Sequence, residues 1–228
     1  MDLAAIRTTT RQRLDDAVGP SYLWSDAELD EFANEAVTEA CIRARLNTDS
    51  SSEAAKVNVI AGIAAYPLHA SVLFIERAYL DTSAIALSKT SFHELDELSG
   101  TWPTESGTPT QYIQDMDHAS AAGTLENRLT LYPIPTVTET LSLTVYRLPM
   151  VEMSSDGDEP EIPPHLHLNL VDWMCHRAYM KGDADTLDTG KALVFERRFE
   201  KRFGPRPSAR LVEWRRKQRP KRVTGRWL

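Results

Sequence analysis

Apolar residues recur at helical spacing toward both ends of the chain and at alternating, strand-like spacing through its middle. In the first segment Leu3, Ile6, Thr10, Leu14 and Val18 share one helical stripe, Asp2 can cap it, and Gly19-Pro20 should end it. Arg7, Arg11 and Arg13 lie mostly off that stripe. A second helix is announced by Ser25-Asp-Ala-Glu28, a capping box in which serine and glutamate each satisfy the other's backbone amide. Trp24 and Leu29 flank the box as a hydrophobic staple. Leu29, Phe32, Ala33, Ala36, Val37 and Ala40 then mark one apolar face running to about Leu46.

After the polar break Asn47-Thr-Asp-Ser-Ser-Ser52 the helical period disappears, and β-branched or aromatic clusters stand at Val57–Ile60 and Val72–Leu80. This β-rich stretch is interrupted by a second capping box, Ser91-Phe-His-Glu94, opening a short helix through Leu98, and by a turn-rich run from Gly100 to Pro109. Three further strands are expected at Gln111–Met116, Arg128–Tyr132 and Thr140–Leu148. In the last, Leu141, Leu143, Val145 and Arg147 share one side, and Ser142, Thr144 and Tyr146 the other.

The acidic loop Ser154–Glu161 returns the chain to helix. Pro163-Pro164 suits a first turn, whose amides have no partner in any case, and Leu166, Leu170, Trp173, Met174 and Ala178 form a stripe ending at Gly182. Asp183–Asp185 is expected to cap a fourth helix with a core face of Leu187, Leu193 or Val194, Phe195 and Phe199, stopping at Phe203-Gly204-Pro205. A further turn or two around Ala209–Lys217 would follow. The fold class implied is α+β, mainly α. Residues 1–50 and 153–205 form a helical bundle, residues 51–152 a small β-rich insertion, and residues 206–228 an extended basic arm.

Charge sharpens that division. Among residues 210–228, eight bases stand against the single acid Glu213, a formal +7, whereas the whole chain is −7; residues 1–209 therefore carry −14. Trp214 and Trp227 bracket the run, and Pro220 and Gly225 break any helix through it, so the segment cannot bury enough apolar surface to fold alone. Three uses are open. Its Arg and Lys could displace counterions from nucleic-acid phosphates while the tryptophans stack on bases. It could enter an acidic protein groove with Trp214, Trp227 and Leu228 as apolar anchors. It could also be a solvated tail. The acidic remainder argues against non-specific nucleic-acid binding by the body. No stretch has the apolar length of a membrane span, and the first residues lack a signal-peptide pattern, so a protein made in a cytoplasm and touching no membrane is expected.

Candidate chemistry is sparse. His93-Glu94-Leu-Asp-Glu97 begins like a zinc-protease helix but has Glu97 where the second histidine is needed. His165, His167, Cys175 and His176 point in different directions on a helix, because each pair is separated by about 100° or about 200°. The acidic runs 156–161 and 183–185 lack the spacing of a calcium loop. No phosphate-cradling glycine loop or nucleophile elbow is present. Cys41 and Cys175 read as buried small hydrophobes. No catalytic, cofactor or metal residue is therefore assigned, and a hydrolase would need an unrecognised pocket where carboxylates and histidines converge.

The order of short motifs is more telling. Trp24-Ser-Asp-Ala-Glu-Leu29, Tyr66-Pro-Leu68, Gly107-Thr-Pro-Thr-Gln-Tyr112, Leu129-Thr-Leu-Tyr-Pro-Ile-Pro135, Val145-Tyr-Arg-Leu-Pro149 and Ile162-Pro-Pro164 before a helix resemble the head-to-tail connector (adaptor) proteins of tailed bacteriophages, over most of residues 20–205. That resemblance implies a non-enzymatic, cofactor-free component of the virion neck. It implies a ring, typically twelve-fold, made of copies of the chain, beneath the portal protein and above the tail or next neck protein, with DNA passing through the lumen unbound. It further implies that a C-terminal segment reaches the portal. By position, that segment would be the arm residues Trp214, Arg215, Arg216, Lys217, Arg219, Lys221, Arg222, Arg226, Trp227 and Leu228. The alternative function is a packaging accessory that grips nucleic acid with the same arm.

Overall fold

A computed structural model describes residues 1–16, 19, 22–82, 86–119, 125–183 and 185–212. The chain is an α+β protein. Its elements run α1 (Leu3–Leu14), α2 (Asp26–Ala44), β1 (Asn47–Asp49), β2 (Lys56–Val59), β3 (Ala65–Pro67), β4 (Val72–Leu80), β5 (Ser88–Lys89), α3 (Phe92–Leu98), β6 (Ser106–Gly107), β7 (Gln111–Ala119), β8 (Leu125–Tyr132), β9 (Ile134–Pro135), β10 (Glu139–Arg147), α4 (His167–Tyr179) and α5 (Thr189–Phe203). They divide into two compact units, one from Met1–Asn47 with Leu148–Pro207 and one built on Thr48–Arg147.

In the first unit α4 packs against α1, α2 and α5. The core joins Leu3 and Ile6 of α1, Leu29, Ala33 and Ala36 of α2, Leu170, Met174 and Ala178 of α4, and Ala192, Phe199 and Phe203 of α5. The small residues on α2 and α4 let the helices approach closely where Phe199 and Trp173 fill the remaining space, their rings 5.1 Å apart. The capping box forms as the sequence predicts, with Ser25 Oγ accepting from Glu28 N and Glu28 Oε2 accepting from Ser25 N. Trp24 and Leu29 are both buried, and the Trp24 indole donates to the Ala178 carbonyl at 3.2 Å, tying the start of α2 to the end of α4.

In the second unit β10 is the centre of a four-stranded sheet, pairing with β4, β2 and β1. A second sheet runs β3-β8-β7-β5, antiparallel except for the parallel β5–β7 pair, and β6 and β9 add a two-stranded parallel piece. Leu141, Leu143 and Val145 of β10, Ile75 and Ala78 of β4, Tyr112 of β7, and Leu129 and Leu131 of β8 share one core. The period of two is plain in β7, where Tyr112 enters that core while Ile113 turns the other way to meet Leu95 of α3. Polar side chains stitch the strands together: Gln114 of β7 accepts from Ile75 N and donates to Leu73 O, and Asn127 of β8 donates to Val72 O at 2.7 Å.

Four expectations are corrected. α1 ends at Leu14, with Asp15 in the left-handed region at φ 59°, well short of Gly19-Pro20; Val18 and Pro20 lie outside the described residues. The reason is Arg11. It is buried rather than off the stripe, and its guanidinium draws Asp16 back onto the helix at 2.7 Å. The cap of α5 is Asp188, accepting from Lys191 N, not Asp183–Asp185. The core face of α5 is Ala192, Phe199 and Phe203 with Phe195 half-buried, whereas Leu187, Leu193 and Val194 are exposed. Finally, the polar break after α2 holds a short strand, β1, defined by its pairing to β10 and by Asp49, which accepts from Arg147 Nε at 2.6 Å.

Candidate interaction surfaces

The residues that could have carried chemistry are engaged elsewhere. His93 pairs with Glu97 at 3.3 Å on the exposed side of α3. His167 is buried, with Nε2 bonded to the Ile162 carbonyl and Nδ1 near the Met1 amine, and His176 Nδ1 meets the Ala192 carbonyl. Burial pushes the Cys175 thiol up to about 12, the opposite of what a nucleophile needs, and Cys41 is buried outside any disulfide. In the acidic loop Asp156 pairs with Arg7, and Asp158 accepts from the Ser154 and Ser155 amides. Among the described residues, no three His, Cys, Asp or Glu side chains are grouped to hold a metal ion, and no helix is long and apolar enough to cross a membrane.

What the described residues do offer is surface. On α5, Val194, Arg197, Arg198 and Lys201 follow i, i+3, i+4, i+7 spacing on the side away from Phe199 and Phe203, and all four are exposed, as are Leu193 and Arg202 beside them. Beyond α5, Gly204-Pro205-Arg206-Pro207 is pinned to α2. Buried Glu39 takes Arg43 Nε at 3.0 Å and Arg206 Nη2 at 3.3 Å, and the Arg43 guanidinium lies over the rings of Trp173 and Phe199. Sequence reading missed this clasp. Its only local trace is the i, i+4 spacing of Glu39 and Arg43 on a face otherwise apolar.

A groove of about 200 Å³ lies along another face of α2, between Val37 and Thr38 and the segment Leu148–Met153, with Glu152 and Glu161 at its edge. Its wall is held by Asn34, whose amide donates to the Met153 carbonyl and accepts from the Met153 amide, at 3.0 and 2.9 Å. In the second unit Ile60, Ile63 and Val137 are exposed together on two turns, which are braced by bonds from Gly62 N to Pro135 O and from Ala61 N to Thr138 Oγ1. Gly62, at φ 83°, permits the tighter of the two turns.

The assigned arm residues, Trp214, Arg215, Arg216, Lys217, Arg219, Lys221, Arg222, Arg226, Trp227 and Leu228, lie outside the described residues. The chain leading to them makes one helical turn, with Val212 N bonded to Ser208 O, and exposes Arg210.

No curated protein sequence matches the chain. A family model does, that of the SU10 adaptor protein, and it matches residues 1–224. The expectation of a phage head-to-tail adaptor, drawn from the motif order between Trp24 and Pro164, thus has a match that runs through both units and into the basic segment. The chain belongs to the SU10 adaptor protein family, with a structural role as a component of the phage virion that contacts other head and tail proteins.

Proposed function

We propose that this adaptor closes into a ring, twelve-fold by the resemblance, that joins the portal to the tail or to the next neck protein and lets DNA pass through its lumen. The observation that carries the reading is the segregation of charge: −14 over residues 1–209 against +7 over residues 210–228. Carboxylates facing a lumen would repel DNA phosphates and let the polymer slide. The basic arm would enter an acidic groove of the portal with Trp214, Trp227 and Leu228 as apolar anchors, and several arms on one ring would bind together far more durably than one. The clasp on Glu39 supports this role by fixing the point from which the arm leaves.

The test is a chain stopped after Pro207, which keeps the clasp. It should fail to join portal-bearing heads, and normal attachment would end the proposal. Reversing the charge of Arg215, Arg216 and Lys217 should weaken attachment in a salt-sensitive way, and Trp227→Ala should weaken it even at high salt. The packaging-accessory reading rests on the same charge. It would be favoured by DNA binding in a filter assay that falls steeply with salt and vanishes on removal of residues 208–228.

A further inference from the structure

The first unit has two unlike faces, and a ring requires just such a pair, since head-to-tail packing joins one surface of each copy to a different surface of the next. One is the outer stripe of α5, where the exposed Leu193 and Val194 are followed by Arg197, Arg198, Lys201 and Arg202. None of these four bases has a carboxylate within ion-pair distance among the described residues. The other is the groove beside Val37 and Thr38, lined by Leu148, Pro149 and Val151 and edged by Glu152 and Glu161, with Val151 78% exposed.

The two faces are built on different elements of the same unit. α4 packs against both α1 and α5, and the acidic loop is tied to α1, through Asp156 to Arg7 and through the Leu3 and Ala4 amides to the carbonyls of Asp158 and Asp156. Around α2, Asn34 anchors the groove wall, whereas Arg43 meets the Gly204 carbonyl just beyond α5. Nine positions at 100° each put these two side chains about 180° apart. At about 200 Å³ the groove is smaller than the roughly 300 Å³ at which small-molecule pockets begin, but it has room for an aliphatic side chain or two. Apolar residues beside bases on one face thus answer apolar residues beside acids on the other.

We propose that the α5 stripe of one copy seats in the α2 groove of the next, with Leu193 and Val194 in the cavity and Arg197 and Lys201 against Glu152 and Glu161. The assignment rests on the ring reading and names its copy-to-copy surface. The test is charge exchange in the full-length chain, scored by the mass of the assembly formed on its portal ring. Arg197→Glu with Lys201→Glu should abolish multi-copy assembly, as should Glu152→Lys. A chain carrying Lys201→Glu and Glu152→Lys together should regain it, which a folding defect would not allow. A zero-length carboxyl-to-amine cross-linker on mixed heavy and light chains should join Lys201 of one copy to Glu152 or Glu161 of another. Multi-copy assemblies that tolerate both reversals and lack that cross-link would overturn this surface while leaving the ring intact. Loss of only the next neck protein on Glu152→Lys would overturn it too, giving the groove to that protein. A wild-type chain that never exceeds one copy per portal ring would sink both the surface and the ring.

Discussion

Arg11 offers the sharpest energetic test, because its removal strands a charge. Its side chain is 8% exposed and that of Asp16 5%, with Nη1 2.7 Å from Asp16 and Nη2 2.7 Å from Asp26 and 2.9 Å from the Trp24 carbonyl. The Tyr22 ring covers the guanidinium at 3.8 Å. In Arg11→Met the aliphatic stem is kept, the exposed Asp26 rehydrates at little cost, and Asp16 stays buried with, among the described residues, the Leu23 amide at 3.0 Å to hold it. Breaking one side of a buried pair costs about 3–5 kcal/mol. With a urea slope of about 2 kcal/mol per molar, the helical transition followed by circular dichroism at 222 nm should move down by about 2 M. Arg11→Met with Asp16→Asn keeps the acceptor for Leu23 but removes the charge, so it should lose only about 1–3 kcal/mol. A single variant that loses no more than about 1 kcal/mol, or a double no better than the single, would refute the stranded-charge account.

Three further outcomes are expected. Phe199→Ala should lose about 3–5 kcal/mol in the same unfolding assay, whereas Leu193→Ser, at 51% exposure, should lose less than about 0.5 kcal/mol; equal losses would put the core on the wrong face of α5. Lys181, then the Ser25 amide, hold the Glu28 carboxyl at about 2, well below its ordinary 4.5. A lowered value means stability that is complete above about pH 4.5 and lost as the pH falls through about 2, worth about 1 kcal/mol at this half-exposed site; Glu28→Gln should flatten that part of a stability–pH curve. Gln114→Leu leaves the Ile75 amide and Leu73 carbonyl without their side-chain partner, and should cost about 1–3 kcal/mol and speed hydrogen exchange at Ile75, measurable by mass spectrometry.

How much of this was legible in the sequence depended on how local its causes are. α2 and α3 were announced because each start is written in four consecutive residues, Ser25–Glu28 and Ser91–Glu94, and both boxes form. β10 was legible from the alternation of Leu141, Leu143 and Val145. The end of α1 was not, since it is set by a buried ion pair between Arg11 and Asp16 that apolar periodicity does not register. The face of α5 was legible only in part: Phe195 and Phe199 lie on it, but Leu187, Leu193 and Val194 are apolar yet exposed, and Ala192 and Phe203 complete the face in their place. β1, β5, β6 and β9, two or three residues each, exist only through their partners and carry no period of their own. The groove joins Asn34 to Met153, 119 positions away, and the clasp joins Glu39 to Arg206. Neither distance is written in any window of the chain.

The Glu39 clasp also sets a ruler. With Arg206 fastened to α2, the 21 residues from 208 to 228 are measured from a fixed origin, and at 3.3–3.6 Å per residue even a fully stretched chain spans roughly 70 Å. Whatever this segment grips must therefore lie within that radius of the clasp, a limit set by covalent geometry alone. Arg206→Ala would remove that origin without shortening the chain, so the same covalent limit would then be counted from the end of α5 at Phe203.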